Sequence, residues 1–305
     1  MNEITRMLLQ KISDWKGRFS GAFNIREDGG CAGRRSSKNI QIDSKPDKPG
    51  LNIHIAPGTQ GESVFIPACV THGDVDDLVY NDFYVGENAD VVIEAGCGVH
   101  VETGEPARHS GIHRFFLEPG ARVKYVEKHI GTGEGSGLRS IDPVTEAYLA
   151  ENAVLEMDTA QIGGVDRTLR QTKASAAAGA KLFIRERLLT EGDQEAQTSF
   201  EVELSGNGAG ADIVSRSVAR DRSRQSFTST IVGCAPCSGH SECDAILGGQ
   251  ASVDATPKLY ARHSGASLVH EAAIGKIAGE QIMKLRTLGL TEEEAESKII
   301  EGFLA

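Results

Sequence analysis

The chain has 305 residues, a formal net charge of −11 and a pI near 5.4, a balance that argues against a nucleic acid or an anionic membrane as its main partner. No stretch approaches the roughly 18 to 20 consecutive apolar residues of a membrane span, and residues 1–10 lack the basic start and apolar core of a signal peptide. We therefore expect a cytoplasmic protein whose six cysteines stay reduced, so that a cysteine cluster binds metal or does chemistry.

The first fifty residues predict a helix and an irregular segment. One amphipathic helix is indicated by apolar residues at helical spacing, namely Ile4, Leu8, Leu9, Ile12 and Trp15. Residues 29–50 combine glycines and two prolines with Ser, Asp and Lys, which favours an irregular linker. We therefore assign residues 1–50 to an N-terminal helix and an irregular segment that leads into the next domain.

A repeated corner dominates the region from residue 51 to residue 269. Six four-residue turns with Gly or Asn before a final alanine end at Ala89, Ala121, Ala153, Ala180, Ala211 and Ala266. Their gaps are 32, 32, 27, 31 and 55 residues, the last close to two periods. β-branched and apolar residues follow the corners, and Leu51, Ile53 and Ile55 alternate with polar residues. A fixed period of this kind predicts an all-β parallel solenoid in which each coil turns at a residue that tolerates positive φ.

The last segment, residues 270–305, returns to helical spacing. Ile274, Ile277, Gln281, Ile282 and Leu285 fall on one predicted helical face. Gly289 is a predicted C-terminal cap, and Thr291 with Glu294 predicts a capping box for a second helix that carries Ala295, Ile299, Ile300 and Phe303. A helical pair in this place would cover the open edge of the last coil and offer a docking face.

Four soft ligands at three-residue spacing form the densest candidate metal site, namely Cys234, Cys237, His240 and Cys243. Thiolate and imidazole suit zinc or iron. A tetrahedral zinc site usually combines two pairs across a longer loop, and residues three apart on a strand face opposite sides. We therefore favour one or two of these residues acting with ligands from elsewhere over a four-ligand zinc site.

Two other features have simple structural explanations when taken alone. His270 and Glu271 stand where the strand pattern gives way to the helical one, and a hydrogen-bonded histidine beside an acidic helix start accounts for both. The glycine run at 129–137 lacks the Lys-Ser/Thr of a P-loop, so we expect a flexible surface loop and no ATP hydrolysis by this chain. Cys31, Cys69 and Cys97 are isolated, and Cys69 and Cys97, which lie in apolar predicted strands, are expected to be buried small hydrophobes.

The C-terminal motifs resemble those of the SufB/SufD family of iron–sulfur cluster assembly proteins. The similar segments appear in the family's order: Gly239-His-Ser-Glu-Cys-Asp-Ala-Ile-Leu247, Pro257, Val269-His-Glu-Ala-Ala-Ile-Gly-Lys-Ile277, Glu280-Gln281 and Leu288-Gly-Leu-Thr-Glu-Glu-Glu-Ala-Glu-Ser-Lys-Ile-Ile-Glu-Gly-Phe303. Residues 212–219 also fit, so the resemblance covers about 51–305.

The resemblance implies a right-handed parallel β-helix that ends in a helical region. It also implies a dimeric scaffold that binds no nucleotide itself, docks a SufC-type ATPase on its C-terminal helices and builds a transient iron–sulfur cluster near the dimer interface. Cys243 matches the family's cluster-assembly cysteine, Glu271 its neighbouring acidic residue, and His270 its interface histidine, so these three are the expected catalytic, cofactor and metal residues. Cys237 and His240 are weaker metal candidates. One chain that carries all three resembles minimal systems in which a B-type homodimer works with the ATPase.

Two other functions stay open at this point. Parallel β-helices also include polysaccharide lyases and acyltransferases, although one Trp and five Tyr offer little surface for a sugar. A structural zinc or adaptor protein rests only on the 234–243 cluster. The sulfur-accepting cysteine, the sulfur and iron donors and the acceptor proteins are not identified by the sequence.

Overall fold

The computed structural model describes residues 1–13 and 15–305. Its elements are α1 (Glu3–Ile12), β1 (Ala22–Glu27), β2 (Gly30–Arg35), β3 (Ile40–Ser44), β4 (Gly50–Ile55), β5 (Gln60–Phe65), β6 (Ala68–Val70), β7 (Val75–Val85), β8 (Asp90–His100), β9 (Ala107–Leu117), β10 (Arg122–Thr132), β11 (Arg139–Ile141), β12 (Val144–Leu149), β13 (Val154–Ile162), β14 (Arg167–Ala176), β15 (Lys181–Thr190), β16 (Glu195–Leu204), β17 (Gly210–Ala219), β18 (Arg224–Gly233), β19 (Cys237–Leu247), β20 (Ser252–Ala261), β21 (Ala266–Gly275), α2 (Gly279–Thr287) and α3 (Glu292–Phe303).

The strands form two sheets that face each other along a parallel β-solenoid of about 8 turns. Sheet A has the order β2-β1-β5-β8-β10-β13-β15-β17-β19-β21, and sheet B the order β20-β18-β16-β14-β11-β9-β7-β4-β3. From β7 onward the chain alternates between the sheets, with β11 and β12 together forming one pass through sheet B, so that each coil stacks in parallel on the one before it. The apolar core lies between the sheets. The predicted solenoid is confirmed.

The corner alanines form a continuous buried ladder. Ala89, Ala121, Ala153 and Ala180 are fully buried, and each follows an Asn or Gly with positive φ. The next corner differs from the sequence-based assignment, because the positive φ is at Gly208 and the corner alanine is Ala209, whereas Ala211 lies within β17. Strand register then places Cys237 and Ala266 at the following two corners. Residues 208–211 contain two consecutive Gly-Ala pairs that both fit the corner pattern, so the sequence-based corner was placed two residues too far along the chain.

The N-terminal region is partly as predicted. The helix is confirmed as α1, but it ends at Ile12, so Trp15 lies outside it. It packs on β8, where a side chain at Gly96 would sit 2.8 Å from the Ile12 carbonyl oxygen. The prediction of an irregular segment at residues 29–50 is wrong, since β1–β2 and β3–β4 form antiparallel hairpins. Asp28 and Gly29 both have positive φ in the first of these turns, the conformation that Asp-Gly favours in a two-residue hairpin loop.

The glycine run at 129–137 is not a free surface loop. It begins inside β10, where His129 is buried, and then stacks on the preceding coil. The amides of Gly135 and Gly137 donate hydrogen bonds of 3.0 Å to the carbonyls of Val101 and Thr103. Glycine fits here because a Cβ at Gly135 would meet the backbone of Thr103 at 2.4 Å.

At the C-terminus, the strand pattern extends further than predicted. β21 runs to Gly275 and α2 begins at Gly279, so Ile274 belongs to the strand and His270 and Glu271 lie in its middle. The capping box of Thr291 and Glu294 is confirmed, and Gly289 has the positive φ of a helix cap. No helix among the described residues has the length and apolar character to cross a bilayer.

Helix α3 packs on the outer face of sheet A. Ile300 and Leu304 form a buried cluster with Val218, with Leu189, Ile246, Ile277 and Phe303 around it. Helix α2 has no buried residue, and Met283 and the following Leu288 are 68% and 73% exposed. The C-terminal region therefore exposes α2, whereas the apolar side of α3 is covered by sheet A.

Candidate functional site

The candidate residues lie on the last two strands of sheet A. β19 and β21 pair in parallel with Ser241 opposite His270, Glu242 opposite Glu271 and Cys243 opposite Ala272. Successive side chains on a strand point to opposite faces of the sheet. This register therefore decides which candidates share a face.

Cys243 and His270 lie on the inner face. Cys243 is 1% exposed and belongs to the apolar core. Leu268, two residues before His270, packs against the same core, so His270 points inward as well. The structure thus brings these two predicted residues to one face of neighbouring strands.

The Cys243 thiol is held in its protonated form. Burial, followed by the negative charges of Glu186 and Asp244, raises the pKa of Cys243 to about 12. At neutral pH the side chain is a thiol in the isolated chain. A metal that binds here must displace the proton, because the ligand is the thiolate.

His270 carries an unsatisfied ring nitrogen. Its Nδ1 is buried and has no hydrogen-bond partner among the described residues. Buried polar atoms in native proteins nearly always have a partner. The ring of His270 therefore keeps one hydrogen-bonding position open on the inner face of the last strand of sheet A.

A row of polar side chains inside the solenoid leads to Cys243. Register places Glu127, Thr159, Glu186, Ser215 and Cys243 at equivalent positions in successive coils. Ser215 donates a 2.7 Å hydrogen bond to Glu186, and Thr198 donates one of 3.0 Å. Burial raises the pKa of Glu186 against the opposing charge of Arg170. Sequence analysis missed Glu186, because a glutamate in a strand gives no sign that it faces the interior.

Glu271 lies on the opposite, outer face. There one ligand atom each from His240, Glu242 and Glu271 lies within 4.8 Å of the other two. Among the described residues, this is the one group of three His, Cys, Asp or Glu side chains with that spacing. The three residues matched by resemblance are therefore divided between the two faces of sheet A.

The outer group has its own supporting contacts. The His240 Nδ1 lies 2.8 Å from Asp212 Oδ1, and Arg185 donates a 2.6 Å hydrogen bond to Asp212 Oδ2. Burial acts to raise the pKa of Asp212, but these two hydrogen bonds outweigh it and lower the pKa. Burial, together with the charge of Asp244, raises the pKa of Glu242. Glu242 was not a sequence-based candidate, because its place depends on a register that one sequence does not reveal.

The contiguous four-ligand zinc site is not formed. Cys237 fills a corner position inside the solenoid, His240 faces outward and Cys243 faces inward.

The isolated cysteines lie in the N-terminal half of the chain. Cys69 and Cys97 are buried as expected, and burial raises the pKa of Cys69 to about 12. Cys31 is exposed.

Comparison with known proteins places these residues in a family. The family model described as "SUF system FeS cluster assembly, SufBD core domain" matches residues 81–303. A protein of Methanothermobacter thermautotrophicus named iron–sulfur cluster assembly SufBD family protein is 30% identical over 265 residues, which cover 84% of this chain and 62% of that protein. A relative of the same name from Archaeoglobus fulgidus is 27% identical over 261 residues, covering 85% of this chain and 69% of the relative. The chain thus spans about three fifths of the Methanothermobacter protein.

The raised pKa of Cys243 predicts slow alkylation of the folded protein. At pH 8 a thiol of pKa 12 has about a thousandth of the thiolate of one at its ordinary value of 9, and the alkylation rate falls with it. Between pH 9 and about 12 the unfolded chain loses the Cys243 proton while the folded chain keeps it. The free energy of unfolding therefore falls as the pH rises through this range.

Peptide mapping after iodoacetamide treatment at pH 8 measures this difference. We expect Cys243 to react about a thousandfold more slowly in the native protein than in guanidinium chloride, whereas exposed Cys31 reacts readily in both. Equal rates for Cys243 in the two states would contradict the buried thiol.

Proposed function

The chain belongs to the SufBD core family of iron–sulfur cluster assembly proteins, and from that premise we propose that it is an assembly scaffold. It builds a transient cluster on Cys243 and passes it to apo-proteins. The observation that carries this proposal is that a buried thiol and the orphan nitrogen of His270 lie on the same inner face of neighbouring strands. Iron and sulfide are its cargo.

Cys243 supplies the main anchor in this proposal. Thiolates are the usual protein ligands of iron–sulfur clusters. An imidazole beside the thiolate binds iron less strongly than a second thiolate and favours release of the cluster to an acceptor. Sheet A separates Glu271 from the inner face, so we leave Glu271 out of the proposed cluster ligands.

Homodimerisation through the last coil is the second part of the proposal. β20 and β21 are the end strands of their sheets. Leu259, Tyr260 and Val269 on these strands are 37%, 49% and 47% exposed. Open edges with exposed apolar side chains favour pairing with another chain, and a two-fold contact would bring both copies of His270 toward the interface.

Docking of a SufC-type ATPase on the C-terminal helices is the third part. Met283 and Leu288 are the most exposed large apolar side chains of the described residues. They lie in α2 and in the turn that follows it, where exposed apolar side chains suit anchors for a partner's pocket. The ATPase would supply the nucleotide chemistry, because the chain contains no Walker motif.

Anaerobic reconstitution with iron and sulfide tests the cluster site. We expect Cys243→Ser to abolish the visible absorption of the cluster, because serine cannot replace the thiolate. His270→Ala should leave a partial yield. Cys234→Ser is the matched control and should keep the wild-type yield. If Cys234→Ser destroyed the cluster and Cys243→Ser left its spectrum unchanged, the assignment would be wrong.

The dimer is tested by light scattering at micromolar concentration. We expect the wild-type chain to have the mass of a dimer and Tyr260→Asp/Val269→Asp to have that of a monomer, because each buried aspartate would be unpaired at the interface. Tyr148→Asp, which changes a side chain 46% exposed on a middle coil, should remain dimeric. A monomeric wild type, with and without the ATPase, would refute this interface.

ATPase docking is tested by titrating the purified ATPase against the full chain. We expect Met283→Asp/Leu288→Asp to weaken binding roughly 30-fold, from about 1 kcal/mol lost at each anchor. Leu138→Asp is the control, because Leu138 is 56% exposed in a distant loop. An unchanged dissociation constant for the double variant, or an equal loss for the control, would exclude this surface.

A further inference from the structure

The outer group of His240, Glu242 and Glu271 has the chemistry of a metal site. One imidazole and two carboxylates suit a divalent first-row transition metal. Two atoms bound to one ion at about 2.1 Å can lie at most about 4.2 Å apart. The observed spacing within 4.8 Å therefore needs only a small movement of side chains to close around an ion.

The histidine of this group is already oriented. Asp212 contacts His240 Nδ1 at 2.8 Å, which leaves Nε2 as the free ring nitrogen. Arg185 holds Asp212 in turn, at 2.6 Å. A carboxylate behind the imidazole is the usual outer shell of a metal-bound histidine, where it fixes the ring and increases its basicity.

Among the described residues, no cation is ion-paired with the carboxylates of the group, although the charge of Arg216 on β17 acts on Glu242 from the same groove. Nearby Arg185 and Arg187 are ion-paired with Asp212 and Asp158. Among the described residues, neither Glu242 nor Glu271 has an ion pair within 4.0 Å, although the two stand directly opposite each other. Like charges opposite each other on neighbouring strands are destabilising. A bound cation would convert this repulsion into attraction.

The site also has room for exchangeable ligands. His240 and Glu242 line an open groove of about 500 Å³ on the outer face. Three protein ligands beside an open groove leave coordination positions for water or a transferring partner, as in sites that exchange or activate their ligands.

We propose that His240, Glu242 and Glu271 bind one divalent transition metal ion on the outer face of sheet A, separately from Cys243. The ion is ferrous iron in the cell, and that identity alone rests on the proposed function. The site takes mononuclear iron on the side of the sheet opposite to the thiol. Asp212 is a positioning residue that acts through His240.

Cobalt(II) is the probe, added to the chelator-treated full-length chain. We expect one cobalt ion per chain, with d–d absorption in the visible and no thiolate-to-cobalt charge-transfer band. His240→Ala and Glu242→Gln should each weaken binding by about tenfold or more. Asp212→Asn should weaken it by about 10- to 100-fold, as loss of an outer-shell partner does, while the number of sites stays at one.

Two control variants show whether cobalt binds at the outer group, and not at the cluster site or through the negative charge of the chain in general. Cys243→Ser should bind cobalt like the wild type, whatever its effect on cluster reconstitution, so the two proposals fail independently. Glu203→Gln removes one exposed carboxylate from sheet B and should leave the affinity unchanged. Circular dichroism checks the fold of each variant, and Glu242→Gln serves if His240→Ala does not fold.

Three results would overturn the proposal. These are a dissociation constant unchanged in folded Glu242→Gln, cobalt binding lost in Cys243→Ser, and a thiolate charge-transfer band in the wild type. Each would move the metal away from the outer group.

Discussion

In-register parallel pairing between successive coils decides what each side chain of this protein faces. A shift of one residue in any pair would turn every side chain of the strand to the other side of the sheet. The buried ladder of small residues at the corners resists such a shift, since each corner must put a small residue inside a narrow coil. The positions of Cys243 and His270 inside and of Glu242 and Glu271 outside follow from this one constraint.

The same pairing explains an interior with many ionisable groups. Glu127 and Arg170 are buried together at 2.8 Å, and Arg170 also lies 3.6 Å from Glu186. Removing one member of such a set would leave an uncompensated buried charge, which is strongly destabilising. Stacked coils keep the set together, because each coil adds its polar side chain above the last. Glu186 lies two coils before Cys243, with Ser215 between them, and its charge adds to burial in raising the pKa of the Cys243 thiol.

The architecture could be predicted from the sequence because it depends on local features. Corners such as Asn88-Ala89 need a residue that tolerates positive φ and then a small one, and this requirement is visible without any neighbour. The capping box of Thr291 and Glu294 is local in the same way. The ambiguous corner at 208–211 was misplaced because two Gly-Ala pairs satisfy the same local rule. Only the register with β15 and β19 separates them.

The site could be predicted in its residues but not in its geometry. Cys243, His270 and Glu271 were found by resemblance, yet adjacent residues on one strand cannot share a face, so His270 and Glu271 must separate once their segment is a strand. The helical spacing after Val269 predicted that His270 and Glu271 lie at the end of a strand, where neighbouring side chains need not point to opposite faces. The proximity of Glu242 and Asp212 to His240 could not be predicted, because it follows from the pairing of β17, β19 and β21.

The position of the site at the end of the solenoid has a physical consequence for access. A residue in a middle coil is covered by neighbours on both sides, and exposing it would require breaking two strand ladders. Cys243 lies one strand from the open edge, since β21 is the last strand of sheet A. Displacing β21 alone would break one strand ladder and expose the Cys243 thiol together with His270. An edge strand opens locally at a lower free-energy cost than a strand in the middle of a sheet. Burial and access can therefore coexist here. The thiol stays protonated while β21 is in place, and a single strand ladder separates it from the open edge of sheet A.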